Sequence, residues 1–333
     1  MQKRTLGANG PQVSVLGLGA MGMSDLYGPA DDAESVATLH AAIDAGITLI
    51  DTGDFYGSGH NELLIRDALR QRNRDDVVIS VKFGSRRTPD GAFQPAPVET
   101  DPVAVKDRLA YTLRRLGTDH VDIYRPSRLN PDVPIEDTVG AIAEMVQAGY
   151  VRHIGLSEVG AETLRRAAAV HPISDLQIEY SLLVRGVEQA ILPAARELGT
   201  GITAYGVLAR GLLSGHWTPE RALSGNDFRG MVPRFQGDNL TANLALVEAL
   251  RKVADTIGAS VAQVAIAWVA SRGADIVPLV GARNRVRLQE SLAAADLVLS
   301  DHDLAAIEAA VPAGAAAGER YPAAQMALLD SER

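Results

Sequence analysis

Three residues near the start of the chain have the types and spacing for proton chemistry: Asp51, Tyr56 and Lys82. Asp51 closes the short apolar run 48–51, and the loop Asp51-Thr52-Gly53-Asp54-Phe55-Tyr56-Gly57 follows; Lys82 closes the next run, 77–82. If these runs are neighbouring strands of a β/α barrel, their C-terminal ends share one mouth, where a carboxylate, a phenol and an ammonium converge. Lys82, held by Asp51, would lower the Tyr56 hydroxyl from about 10 towards the working range. Tyr56 could then hand a proton to a carbonyl oxygen as a hydride reaches the carbon. Taken singly, each residue reads as part of a solvated ion pair beside an ordinary loop tyrosine. Their joint placement favours chemistry.

The elements that must position these side chains repeat from end to end. Short β-branched or apolar runs at 13–19, 48–51, 77–82, 122–125, 153–156, 176–179, 201–205 and 276–279 read as strands. Helical patterns at 33–45, 61–70, 103–116, 135–148, 161–170 and 191–198 lie between them. Asp32 and Pro102 stand where a helix would be capped or begun, and Gly46, Gly117, Gly149 and Gly199 where one would end. Strict alternation argues for a parallel sheet, and eight units in 333 residues favour a closed (β/α)8 barrel, one domain spanning 1–333. The first dozen residues read as a hairpin with Asn9-Gly10 in its turn, placed to close the barrel bottom. One long irregular stretch, 211–239, follows the seventh strand and carries Trp217 and Phe235. A loop of that length is expected to be functional or mobile.

Gly17-Leu18-Gly19-Ala20-Met21-Gly22 matches the G-x-G-x-x-G pattern behind a strand. A dinucleotide fingerprint needs a helix to open at that loop, but here a loop ending in Gly28-Pro29 intervenes. A glycine-rich strand end approached closely by another group fits better. The formal charge of −9 disfavours nucleic acid as a partner. With no cysteine there can be no disulfide, thiolate nucleophile or Cys-ligated zinc, and no H-E-x-x-H or carboxylate cluster suggests another metal. The chain's opening residues contain no apolar run, and the most apolar helical stretch, 261–270, contains Gln263 and is too short to span a bilayer. A soluble cytoplasmic protein without membrane partners is expected. Its oligomeric state is not legible.

The chain resembles the aldo-keto reductase superfamily over essentially its full length. The resemblance rests on Leu16-Gly17-Leu18-Gly19, the 51–57 loop, Val81-Lys82, the segment 149–157, Gln177-Ile178-Glu179-Tyr180, Ala204-Tyr205-Gly206-Val207-Leu208 and Gly281-Ala282-Arg283. It implies a (β/α)8 barrel that binds NADPH extended across its mouth and reduces a small carbonyl compound. Asp51, Tyr56 and Lys82 would be three members of the catalytic tetrad, with Tyr56 the proton donor. Gly19, Ala20 and Met21 would lie near the nicotinamide, Ser157 and Gln177 would hold its carboxamide, and Tyr205 would stack on the ring. The segment from Gly206, Val207 and Leu208 through Arg210 to Gly215 would follow the pyrophosphate. Gly281, Arg283, Arg287 and Ser291 would receive the adenosine end. Arginine's planar fork suits a 2′-phosphate, so the arginines between 283 and 287 favour NADPH over NADH, although Arg285 also reads as a plain helix-start charge.

The chain departs from that pattern at the fourth tetrad position. The stretch Asp122-Ile123-Tyr124-Arg125-Pro126-Ser127-Arg128 places Ser127 where the family has a histidine followed by arginine. A serine hydroxyl is too short to match an imidazole's reach or charge. Glu158 stands where asparagine follows the serine, and Ser291 where asparagine faces the adenine. Pyridoxal reductases and potassium-channel β subunits also lack the histidine, so two readings follow. One is reduction of a small, activated aldehyde, pyridoxal-like by preference; the other is a slow-turnover NADP(H)-binding redox sensor or regulatory subunit. Of the histidines, His60 on the Tyr56 loop is the best replacement, with a helix-start or surface role the plainer reading. Trp217 and Phe235 are expected as apolar walls of the substrate pocket.

Overall fold

The computed structural model describes residues 1–24, 26–94, 97–221, 223, 225 and 227–333. Among them, eight parallel strands close into a barrel: β3 (Gly17–Gly19), β4 (Leu49–Gly53), β5 (Val78–Phe83), β6 (Val121–Pro126), β7 (Val151–Ser157), β8 (Ile173–Glu179), β9 (Gly201–Tyr205) and β10 (Ile276–Gly281). β4 and β8 are buried along their whole length, because helices cover a parallel sheet from outside. The barrel closes where β10 pairs with β3, Gly281 opposite Gly19. Glycine is needed at this seam: a Cβ on Gly17 would stand 2.6 Å from a Leu279 methyl and 2.9 Å from one of Leu49.

The expected strand 13–19 is two strands. β1 (Lys3–Thr5) and β2 (Gln12–Ser14) form an antiparallel hairpin, and the chain then turns at Val15-Leu16 into β3. Ser14 makes the corner, its amide donating to Thr48 Oγ1 at 2.8 Å and its hydroxyl to the Leu16 carbonyl at 2.6 Å. Leu6 and Val13 of the hairpin pack on Leu49, Ile123, Val277 and Leu279, which closes the barrel at the N-terminal ends of its strands.

The helices follow the strands: α1 (Asp32–Asp44), α2 (His60–Leu69), α3 (Pro102–Leu116), α4 (Ile135–Gln147), α5 (Ala161–Val170), α6 (Ile191–Glu197), α7 (Gly237–Ile257), α8 (Val261–Ser271), α9 (Arg285–Leu292), α10 (Asp301–Ala310) and the short α11 (Ala323–Met326). In α3, Val105, Leu109, Thr112 and Leu116 form one buried stripe, Asp101 caps the start and Pro102 opens the first turn. Asp31, rather than Asp32, caps α1, accepting from the Glu34 amide at 2.7 Å. The stretch after β9 is more ordered than expected. It contains 3-10 turns at Ala209–Ser214, Phe228–Met231 and Pro233–Phe235, and α7 begins at Gly237. No single helix among the described residues is long and apolar enough to cross a membrane.

Candidate active site

At the C-terminal ends of β4 and β5 the two strands run in register, Asp51 opposite Ser80 and Gly53 opposite Lys82. The Lys82 ammonium donates to one Asp51 oxygen, and both side chains are almost wholly buried. The other oxygen accepts from Ser80 Oγ at 3.0 Å and Gln177 Nε2 at 2.8 Å. Tyr56 follows on a tight turn in which Gly57 and Ser58 take left-handed conformations. Asn61 pins this loop: it accepts from Thr52 Oγ1 at 2.6 Å and donates to the Ala20 carbonyl at 2.9 Å and to Ser24 Oγ at 2.7 Å. Lys82 Nζ then lies 5.3 Å from the centre of the Tyr56 ring.

The electrostatics of this group differ from the expectation. Burial first, and then the Asp51 charge, push the Tyr56 hydroxyl well above its ordinary value, and the strongest opposing cation is Arg128 rather than Lys82. The reason is that Lys82 is spent on Asp51. Burial also brings Lys82 down to about 8, against the pull of Asp51 and with help from Arg125. Tyr56 is therefore a protonated acid, suited to giving a proton away.

Arg125 lies below, fully buried on β6. It donates to Asp175 Oδ2 at 2.9 Å and to Ser80 Oγ at 2.7 Å, so a chain of bonds runs from Asp175 to Asp51. Ser127 is buried, and its hydroxyl shares a 2.9 Å bond with Ser85 Oγ rather than reaching the triad. His60 bonds Ser24 Oγ at 2.9 Å and Asp32 Oδ2 at 3.2 Å, a helix-start role.

The residues expected at the cofactor lie on β3, β7, β8, β9 and β10 and on the segments that follow them. Gly19 and Gly281 end adjacent strands and present no side chain, while Ala20 donates its amide to the Asp51 carbonyl and Met21 opens a 3-10 turn. α1 starts only at Asp32, so the 17–22 glycines do not open a helix. Ser157 pairs with Gln177 across β7 and β8, and its hydroxyl is buried with no partner. Such an orphan fits a polar group of a ligand. Half-buried Tyr205 gives its hydroxyl to Glu158 Oε1 at 2.6 Å. Gly206, Val207 and Leu208 lead into the 209–214 turn and Gly215 ends it, but the Arg210 guanidinium is held by Glu179 at 3.2 Å. Arg283 donates to the Tyr27 carbonyl at 2.8 Å, Arg287 pairs with Glu290 at 3.1 Å, and Ser291 is buried on α9. Arg285 is engaged by Glu34. Arg221, which the sequence does not single out, feels the charges of Arg229, Arg283 and Arg287.

Trp217 and Phe235 are both buried and pack on each other, ring centres 4.7 Å apart, as a prop inside the loop. Phe228 of the same loop, also buried, lies 6.1 Å from the Tyr321 ring.

The family model described as the Aldo/keto reductase family matches residues 15–312. The chain belongs to this family. A soybean (Glycine max) protein named probable aldo-keto reductase 1 is 39% identical over 324 residues, covering 96% of this chain and 92% of that one. Among solved structures, a glycerol dehydrogenase of Gluconobacter oxydans superimposes with a TM-score of 0.84 at 28% identity, covering 92% of this chain and 94% of that one. An aldo-keto reductase of Bacillus halodurans, in its holo form, gives 0.77 at 25%, covering 94% and 97%. As an aldo-keto reductase, the protein is a nicotinamide-dependent oxidoreductase that acts on small carbonyl compounds.

The reductase carries one feature that its sequence does not announce. Residues 316–333 form a strap across the mouth. Asn243 clamps its beginning, exchanging bonds of 2.9 Å with both backbone groups of Ala317. Arg320 then inserts between two buried glutamates, donating to Glu158 at 2.6 Å and Glu179 at 3.0 Å. Near the far end, Asp330 accepts from the Gly160 amide at 2.7 Å and the Ser331 amide bonds the Glu158 carbonyl. Burial alone would raise the Glu158 carboxyl, but Arg320, Arg128 and Ser331 hold it down at about 2. A depressed carboxylate stabilises the fold above its ordinary range and loses that contribution only as the pH falls towards 2. Above that range the contribution depends on the cation being in place. Arg320→Met leaves Glu158 without an ion-pair partner and Glu179 with Arg210 alone, a loss of about 3–5 kcal/mol for a broken buried pair. Hydrogen exchange should show the Gly160 and Ser331 amides losing protection while those of β4 and β5 keep theirs.

Proposed function

We propose that the reductase uses NADPH to reduce a small aldehyde, with Tyr56 as the proton donor. The observation that carries this reading is a phenol kept protonated by burial beside an intact Lys82–Asp51 pair at the barrel mouth. NADPH would supply the hydride. Ser157, through its free hydroxyl, and Gln177, through the carbonyl left over when its amide donates to Asp51, would hold the carboxamide. Tyr205, its hydroxyl fixed by Glu158, would offer its ring to the nicotinamide beside Gly19, Ala20 and Met21. The backbone from Gly206 to Gly215 would follow the pyrophosphate, Arg283 and Arg287 would take the 2′-phosphate, and Ser291 would lie towards the adenine. Pyridoxal-like aldehydes come first among substrates, because other branches without the histidine act on them.

Tyr56→Phe should lower turnover by at least about 100-fold, the usual worth of a general acid, while leaving NADPH binding nearly intact. Single-turnover oxidation of bound NADPH would read this directly, and a rate equal to that of the unsubstituted protein would remove Tyr56 from the role.

The pH dependence follows from Lys82. Below about 8 its ammonium balances Asp51; above, the proton leaves and the bare Asp51 charge makes Tyr56 hold its own proton more tightly. Reduction should stay level up to about pH 8 and fall beyond it. In Lys82→Met the profile should be low and flat across the same range.

NADPH should bind more tightly than NADH, and Arg283→Ala should erase most of the difference. A charge-assisted bond to phosphate is worth about 1.5–3 kcal/mol, roughly ten- to hundredfold in affinity. Titration by quenching of tryptophan fluorescence measures both, and equal affinities in the unsubstituted protein would overturn the preference.

A further inference from the structure

With Ser127 turned to Ser85, the substrate oxygen has only Tyr56 unless another residue reaches it. The adjacent side chain is Arg128. Its guanidinium donates to the Ser127 carbonyl at 2.6 Å and to the Tyr321 hydroxyl at 3.3 Å, and that hydroxyl bonds Tyr205 Oη at 3.0 Å. Two of the five N–H donors of an arginine are thus accounted for. The side chain is half-buried, and among the described residues no carboxylate lies within ion-pair distance of it. Glu158, the acid whose charge bears on it, is bonded to Arg320 instead. Arg128 also bears electrostatically on both Tyr56 and Lys82, as a cation lining the same mouth does. A desolvated cation with unspent donors in a mouth that excludes water is expected to meet developing negative charge.

We propose that Arg128 is the second hydrogen-bond donor to the substrate's carbonyl oxygen, in the place that a histidine holds elsewhere in the family. This rests on the reductase reading above. During reduction the carbonyl carbon takes the hydride of the reduced nicotinamide, the C=O π pair moves to oxygen, and oxygen takes the Tyr56 proton. Arg128 gains and loses nothing; its N–H groups hold the oxygen while negative charge builds there. Ser127 then does not by itself confine the enzyme to activated aldehydes. Tyr321 acts as a positioning residue, presenting Arg128 from the strap.

A series of para-substituted benzaldehydes and acetophenones, reduced with NADPH by the unsubstituted protein and by Arg128→Met, Arg128→Lys and Tyr321→Phe, tests this. A lost oxyanion donor costs about 10²–10³-fold in kcat. Arg128→Met should lose that much on acetophenone and less on 4-nitrobenzaldehyde, so that log kcat depends more steeply on electron withdrawal by the ring. Arg128→Lys should recover part of the loss, and Tyr321→Phe should steepen the dependence by a smaller amount. Retained NADPH affinity and an unchanged unfolding midpoint separate these effects from misfolding. An unchanged slope, or a loss confined to KM, would overturn the proposal. So would a KM loss seen only with 4-carboxybenzaldehyde, which would make Arg128 an anchor for a substrate carboxylate. If the unsubstituted protein reduced no member of the series, the reductase reading would fail instead, independently of Arg128.

Discussion

A charge pair shut away from water governs the centre of this barrel. Lys82 and Asp51 are both almost wholly buried, and neither can stay there without the other. Their pairing dictates the neighbours. Asp51 has a second oxygen to satisfy, which Ser80 and Gln177 do. Ser80 in turn accepts from Arg125, whose own charge is matched by Asp175. Four strands are therefore bound through polar side chains inside the barrel, where aliphatic side chains usually fill the space. Apart from Arg125 Nε, which is buried without a partner, the groups of this network named above are paired, and together they fix the Lys82 ammonium beside the Tyr56 ring.

A second tier of charge lies nearer the opening, built on Glu158 and Glu179. Glu179 holds Arg210, both glutamates hold Arg320, and Glu158 also fixes the Tyr205 hydroxyl. These bonds link the turn after β9, the end of β7 and the strap into one unit. The tier also explains why Arg210 is not a free hand for a pyrophosphate: its charge is already committed. Glu158 takes a left-handed conformation, with φ of 53°. An ordinary side chain in that region costs on the order of 1–3 kcal/mol and persists only where its surroundings hold it. Here five bonds to Glu158 oxygens from Arg320, Tyr205, Ser331 and the Glu179 amide do so.

The barrel was legible because its strands and helices differ in period, and 201–205 and 161–170 match the expected bounds. The run 13–19 misled because it is apolar but for Ser14 and its glycines, and a single serine does not mark the corner it makes with Thr48. The meeting of Asp51 and Lys82 was legible because both end adjacent strands of a parallel barrel, so the topology brings them together although 31 positions separate them. Arg320 was not: its partners lie 162 and 141 positions away, and no local pattern couples them. A hint existed in Glu158, an acid in place of an amide, which demands a cation somewhere. That Trp217 and Phe235 stack on each other was not legible either, since eighteen positions of irregular loop separate them.

The distance along the chain between Glu158 and Arg320 also orders events during synthesis. Chains emerge from the ribosome N-terminal end first, and their parts form as they appear. Glu158 and Glu179 are made together on adjacent strands, and until Arg320 follows them they are two like charges pressed into one cavity. Arg210 can relieve Glu179, but before Arg320 is made Glu158 has the Tyr205 hydroxyl and no ion-pair partner of its own. The charge balance at the mouth therefore waits on a strap made more than a hundred residues after the acids it neutralises.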